Sequence, residues 1–353
     1  MRYDFRLAPT ERHNRQAYFQ PNQVNPISSF ASGGLYYGQL VYNTPGNRSF
    51  YQNSFTNFSP RFGFSYMATK KLVVRGGGAL FFPDEWARDL TMPGYTQTTN
   101  VISSLNGGLN PSSILSNPFP QGILPVAGNT QGGLTDVGQN LSTEAFKRPS
   151  SYVEQWMFGL QYSLTPRDMI EADYVGNHAL KFVISGLNLN QLPPADLALG
   201  SSALTAPVAN PFFGLGPVTG SGCGLAGSTV PAFQLMLPMP EFCQTVTNVK
   251  DDIGFSFYDA LNVKYQHRLS NDLTILGTYT RGKALDDTIG GSAFELFYSE
   301  VVRNNYNLAQ EKSVAYADQP NAAVVSYIYS LPVGRGKLIG QNWGKKTDEA
   351  FGG

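Results

Sequence analysis

Ser59-Pro60-Arg61-Phe62-Gly63-Phe64-Ser65-Tyr66-Met67 and, after Ala68-Thr69-Lys70-Lys71, Leu72-Val73-Val74-Arg75-Gly76-Gly77-Gly78-Ala79-Leu80-Phe81-Phe82 make the stretch on which the fold turns. Phe62, Phe64 and Tyr66 alternate with Arg61, Gly63 and Ser65. Val74, Leu80 and Phe82 alternate with Arg75, Gly77 and Ala79. A period of two places each set on one face of a strand, and the short link makes the two strands a hairpin. Two more pairs of this kind follow, Tyr152–Leu164 with Met169–Val175 and Phe257–Arg268 with Leu273–Tyr279, and then a single strand, Ala323–Leu331. In the second pair Trp156, Phe158, Leu160 and Tyr162 oppose Met157, Gly159 and Gln161, while Ile170, Ala172 and Tyr174 oppose Glu171 and Asp173. In the third, Leu261, Val263 and Tyr265 oppose Asn262, Lys264 and Gln266. Weaker strand signals lie around Met1–Leu7 and Leu35–Tyr42. No helical period persists for three turns.

The links within pairs are tight, but the connections Pro83–Pro149 and His178–Asp252 are far longer than ordinary loops. Short turns at one end and long loops at the other is the topology of an outer-membrane barrel, whose strands need about 9–11 residues to cross a bilayer at a tilt. In lipid every backbone group must pair internally, so only a closed sheet is stable. The strands seen here are too few for that and read as an arc of a larger barrel. The composition agrees: charged residues make up 14% of the chain against about 25% in typical proteins, and aromatics reach 13% with 37 Gly. Composition alone would suit a secreted β-sandwich equally; the alternation and loop asymmetry favour the barrel. Zero net charge offers no basic face for nucleic acid. No run of 18 apolar residues marks a transmembrane helix. Met1–Arg6 has no apolar signal core, so the reading expects an internal piece of a longer exported protein.

Asn57–Tyr66 with Val74–Phe82 resembles the barrel of Oar-like TonB-dependent receptors, which are abundant in Acidobacteria. Ser151–Trp156 with Tyr174–His178 is similar to the family's next strand pair, and Tyr258–Leu261 with Tyr279–Asp287 to the one after it. Leu331–Lys337 resembles a periplasmic turn of the same barrels. The resemblance implies an incomplete arc of a barrel of about 22 strands, covering residues 1–353. The family's signal peptide, TonB box and plug are not visible in the sequence, nor is its closing strand. It further implies energised uptake of a large or scarce ligand, an oligosaccharide, peptide or metal chelate. The arc would supply barrel wall and extracellular loops and perform no covalent chemistry. The implied partners are outer-membrane lipid, the TonB complex acting through the plug, and an extracellular ligand. A surface adhesion or structural β-protein without transport is the alternative.

Arg61, Arg75, Glu171, Asp173 and Lys264 are assigned to the lumen, because the opposite face would put them into lipid. Cys223 and Cys243, in one Gly/Pro-rich stretch without a neighbouring His, read as a disulfide formed in an oxidising compartment. Tyr95, Phe212, Phe213, Phe297 and Tyr298 are loop aromatics that pack the loops on themselves or, as the less favoured reading, stack on a glycan or peptide ligand. Asp251-Asp252 and Asp286-Asp287 are read as solvated strand ends, with calcium as the less favoured reading. His13, His178 and His267 lack metal-ligand spacing, and no nucleophile elbow or phosphate loop occurs. Gly76-Gly77-Gly78 is read as a place where a neighbour comes close. The sequence therefore points to no enzyme, no cofactor and no metal.

Overall fold

Each of the three pairs forms a hairpin, and the hairpins join edge to edge into one antiparallel sheet. The computed structural model describes residues 1–83, 92–184, 187–216, 223–248, 251–269, 273–287 and 302–351. In chain order its strands are β1 (Arg2–Arg6), β2 (Ala17–Val24), β3 (Tyr37–Tyr42), β4 (Ser54–Ser59), β5 (Arg61–Met67), β6 (Leu72–Phe81), β7 (Leu141–Thr143), β8 (Tyr152–Thr165), β9 (Asp168–Ile184), β10 (Leu187–Asn188), β11 (Pro207–Ala209), β12 (Thr229–Pro231), β13 (Val246–Asn248), β14 (Asp251–Arg268), β15 (Leu273–Asp286), β16 (Ser313–Val314) and β17 (Asn321–Tyr329). The main sheet runs β5-β6-β8-β9-β14-β15, and β15 then pairs with β16 at one end and β17 at the other. It is an open arc whose described edges are β5 and β17.

Three strands run beyond the ends read from sequence. β9 continues to Ile184, β14 begins at Asp251 and β15 continues to Asp286. Hydrophobic alternation lapses in these extensions, yet the backbone ladder goes on, with Phe255 opposite Leu180 and Ser256 opposite Asp286. The weaker strands form but do not join the arc. β1 pairs with β4, and β3 pairs with β2. β3 holds only six residues and turns Leu40 into a separate core with Phe19 of β2.

One face of the arc carries Phe62, Phe64, Tyr66, Phe158, Tyr162, Tyr265 and Tyr327, all exposed. A continuous apolar face of this extent requires an apolar solvent or partner. On this face glycines sit under rings. Gly78 is registered with Phe62 and Gly76 with Phe64. A Cβ at Gly76 would lie 2.7 Å from Phe64 Cε1 and one at Gly78 2.9 Å from Phe62 Cε1. Gly176 lies opposite Trp156 in the same way, and a Cβ there would overlap the indole. Gly76 and Gly78 are thus explained by flat-lying aromatics on the neighbouring strand, whereas a Cβ at Gly77, on the opposite face, would lie 2.9 Å from the Phe62 backbone O. Gly277, also on this face, faces open space.

A matched pair of variants tests this packing. Gly176→Val should cost about 1–3 kcal/mol through overlap with Trp156, whereas Gly277→Val should be neutral or slightly stabilising. Urea unfolding of the full-length protein in detergent micelles measures both; equal effects at the two sites would refute the ring-over-glycine account.

Candidate functional site

The other face of the arc gathers the charged side chains. Register places Arg75, Gly159, Asp173 and Asn262 in one row, and Gln161, Glu171 and Lys264 in the next. With no side chain on Gly159, the Asp173 carboxylate occupies that space, and Arg75 reaches across the intervening strand to it at 2.9 Å. Arg75 Nη2 also pairs with Glu171. Lys264 stands directly opposite Glu171. Arg61 lies on the same face, its guanidinium 4.6 Å from the Phe81 ring centroid. All five residues assigned to the lumen therefore share one face, opposite the aromatic band, and three of them form a bridged cluster.

The aromatic face is bounded at both ends by polar groups that sequence reasoning missed. Near the long connections, Asp259 accepts from the Tyr174 hydroxyl at 2.8 Å and pairs with His178 at 3.1 Å. Near the short turns, Asp168 accepts from the Tyr265 hydroxyl at 2.7 Å and meets His267 at 2.6 Å. The signal was an Asp at an apolar-parity position, Asp259 on β14 and Asp168 on β9, with a Tyr on the partner strand within reach. From Asp259 to His267 the strand rises about 27 Å. At a tilt of ~40° this spans about 20 Å, close to the height of a lipid-facing band.

Beyond the polar belt at the long-connection end, the loops are folded rather than loose. Phe19, Ile27 and Leu40 from the β2–β3 region pack with Val137 and Leu141 before β8, and with Phe212, Leu225, Phe242 and Val246 from the β9–β14 connection. Cys223 and Cys243 are disulfide-bonded, S–S 1.95 Å. Such a link is worth roughly 3 kcal/mol. Buried amides stand in for regular structure. Asn190 donates to Met239 O at 2.9 Å and Cys243 O at 2.7 Å and accepts from Met239 N at 2.8 Å. Gln234 donates to Pro240 O at 3.0 Å and Phe242 O at 2.7 Å. The connection after β15 docks on this cap through Asn305 N to Gln191 Oε1, 2.7 Å, and Tyr306 OH to Gln191 O, 2.8 Å.

The cap is fixed to the arc by Arg148, which grips Asp252 at the start of β14 at 2.8 and 3.1 Å, both side chains buried. The Tyr51 ring lies 5.1 Å from the Arg6 guanidinium and 5.6 Å from that of Arg148. Asp252 is therefore engaged by an arginine and is not a solvated strand end. Asp287 accepts from Phe255 N at 2.6 Å. No three His, Cys, Asp or Glu side chains cluster as metal ligands among the described residues.

The loop aromatics separate by position. Phe212 is fully buried against Tyr36 and is withdrawn from any ligand. Its neighbour Phe213 is exposed. Tyr95 packs edge-on against Tyr42. Phe297 and Tyr298 lie outside the described residues.

Glu241 is fully buried in the cap, and neither carboxylate oxygen meets a hydrogen-bond partner from another described residue. Burial pushes its pKa from 4.5 up to about 8.

A family model described as "Outer membrane beta barrel domain" matches residues 1–353. No curated protein matches the sequence. Among solved structures, the chain is similar to the alcaligin outer membrane receptor FauA from Bordetella pertussis, at 11% identity and a TM-score of 0.30, covering 84% of this chain and 30% of that one. It is also similar to the outer membrane transporter YddB from Escherichia coli, at 11% identity and a TM-score of 0.30, covering 71% of this chain and 22% of that one. This chain thus spans less than a third of either.

Two outcomes are expected for the cap. Asp252→Ala leaves the buried Arg148 guanidinium without its bidentate acid and should destabilise the cap by about 3 kcal/mol. Limited proteolysis of the loops should detect this; unchanged protection would refute the clamp. Glu241 is neutral in both folded and unfolded chains below pH 4.5. Above that it ionises readily only when unfolded, so cap stability should fall as pH rises from about 4.5 to about 8, by on the order of 5 kcal/mol in total. Glu241→Gln should flatten that profile, and an identical profile in the variant would exclude Glu241 as its source.

Proposed function

Since the chain belongs to the outer membrane beta barrel domain family and lies in the bacterial outer membrane, we propose that it is part of a TonB-dependent transporter that takes up a large or scarce extracellular ligand. The observation that carries this reading is the strict division of the connections. β5–β6, β8–β9 and β14–β15 are joined by short turns, whereas β6–β8, β9–β14 and β15–β17 are joined by long segments, two of which build the disulfide-bonded cap and the third of which docks on it. A wall that needs only to span the membrane has no use for a cap with its own core; a receptor does, because ligand recognition falls to loops held on a rigid scaffold. The order of strand motifs similar to Oar-like receptors supports the same reading.

In this assignment the aromatic face with Trp156, Phe158 and Tyr265 meets lipid, and Asp259 and Asp168 mark the two interfaces. The face with Arg61, Arg75, Glu171, Asp173 and Lys264 lines the lumen. Ligand meets the cap from outside, where Phe213 is exposed, and the TonB complex acts from the periplasm through a plug. The residues of this arc then hold the wall and position the cap. Adhesion without transport is the competing role.

The test compares nutrient uptake in cells lacking the full-length gene with cells whose TonB complex is inactivated. Transport requires that a nutrient lost in the first strain also be lost in the second. A gene deletion that impairs surface attachment and leaves every TonB-dependent uptake intact would favour adhesion and end the transport reading.

A further inference from the structure

Toward the long connections, the aromatic face of the arc ends in a file of cations. Register puts Arg281 of β15 opposite Leu261 and Lys283 opposite Asp259, both on the parity of Tyr265. Lys312, just before β16, continues the file. Its Nζ lies 5.7 Å from the ring centroids of both Phe255 and Phe257, which share that parity on β14. All three side chains are exposed. At the other end of β15 and β17 the same face carries Leu273, Ile275, Tyr327 and Tyr329 and no charge.

The acids near the file are mostly engaged elsewhere. Asp259 is held by Tyr174 and His178. Glu311 is buried and pairs with Arg303 at 3.1 Å. Asp287 is buried and accepts from Phe255 N, and burial pushes its carboxyl up, toward the neutral form. On β8 and β9 this end carries one acid, Glu154, and one base, Lys181, whose Nζ lies 5.3 Å from the Tyr152 ring, so no net charge gathers there. Asp318 accepts from Lys283 Nζ at 3.1 Å and from Ala284 N at 2.7 Å. Three cations thus stand against this one carboxylate. Among the described residues Arg281 donates to the neutral Asn321 Oδ1 at 3.0 Å, and Lys312 meets aromatic rings. The inward-facing Arg75, by contrast, is paired with two carboxylates.

We infer that Arg281, Lys283 and Lys312 bind the phosphates of an anionic lipid head group in the outer leaflet. Arg281 and Lys283 lie in the rows of Tyr174 and Asp259, the belt at which the apolar band gives way to polar groups. Long cationic side chains at that level extend toward the head groups. A phosphate there supplies the missing counter-charge through charge-assisted hydrogen bonds. From the row of Leu261 to that of Phe257 the sheet rises about 13 Å, so the file suits a broad head group bearing more than one phosphate. The inference rests on the placement of the chain in the outer membrane and is independent of transport.

The test uses the full-length protein in neutral detergent micelles. Binding is read as energy transfer from tryptophan to dansyl-labelled lipid. The probes are diphosphorylated lipid A and the same lipid stripped of phosphate, with inorganic phosphate as competitor. Lipid A should bind with an affinity that falls about tenfold or more between about 0.05 and about 0.5 M salt. R281Q/K312Q removes two charges worth about fivefold each beside an anionic partner, and should bind lipid A about tenfold or more weakly. K312Q alone, whose side chain leaves only ring contacts, should bind about fivefold more weakly, which guards against misfolding of the double variant. R281K/K312R keeps both charges and should bind like the parent. K70Q/K71Q, which removes two cations from a short turn, should also bind like the parent. Undiminished binding in K312Q and R281Q/K312Q, an equal loss in K70Q/K71Q, or equal binding of the stripped lipid would overturn the inference. Displacement of lipid A by an equal concentration of inorganic phosphate would mark a free-anion site and overturn the assignment to lipid.

Discussion

A backbone crossing hydrocarbon has no water to satisfy its N–H and C=O groups, and each one left unpaired costs several kcal/mol. That constraint organises the molecule. It forces β5, β6, β8, β9, β14, β15 and β17 into continuous antiparallel register, and register then decides everything about the side chains. One parity meets the apolar surroundings, the other meets the interior, and a slip of one residue would exchange Phe62, Trp156 and Tyr265 for Arg61, Gln155 and Lys264. The glycines work within this restriction. Gly159 makes room for Arg75 to reach Asp173 across a strand, and Gly76 and Gly176 let rings lie against the sheet.

Outside the membrane the same chain answers to a different solvent. The cap buries Phe19, Phe212 and Phe242 as a soluble protein would, and it satisfies its irregular backbone with Asn25, Asn190, Asn210 and Gln234. The two regions meet at Arg148 and Asp252. Because β9 and β14 extend past the polar belt to Ile184 and Asp251, the cap stands on sheet and not on flexible tethers.

Much of the wall was legible in the sequence because alternation is a direct imprint of register. The hairpins, the facing of Arg75, Glu171, Asp173 and Lys264, and the proximity of Cys223 to Cys243 all followed from local pattern. The strand extensions did not, since the end of β9, Ala179–Ile184, carries apolar side chains on both parities and the start of β14 pairs Asp251 and Asp252 with them, so no alternation marks either segment. The cap was not legible either. A stretch such as Asn188 to Cys243, rich in Pro, Gly and Asn, reads as loop, and only the contacts reveal that its amides point inward. Phe212 and Phe213 illustrate the limit: adjacent aromatics in one loop, one at the centre of a core and one on the surface. Asp259 and Asp168 were overlooked because a carboxylate on the aromatic face makes sense only once its tyrosine partners are known.

The cap core joins residues near 17–42, 134–141 and 187–246, with the strands β4 to β6 and β8 to β9 lying between them along the chain. A nucleus assembled from such distant segments carries a large closure entropy. Strand pairing removes most of it by bringing the loop ends side by side. Assembly therefore has a direction, from wall to cap, and the compactness of the cap is a readout of a correctly ordered wall. A chain with its strands mispaired would display loops that have no core to join, leaving them open to the proteases that police the cell envelope.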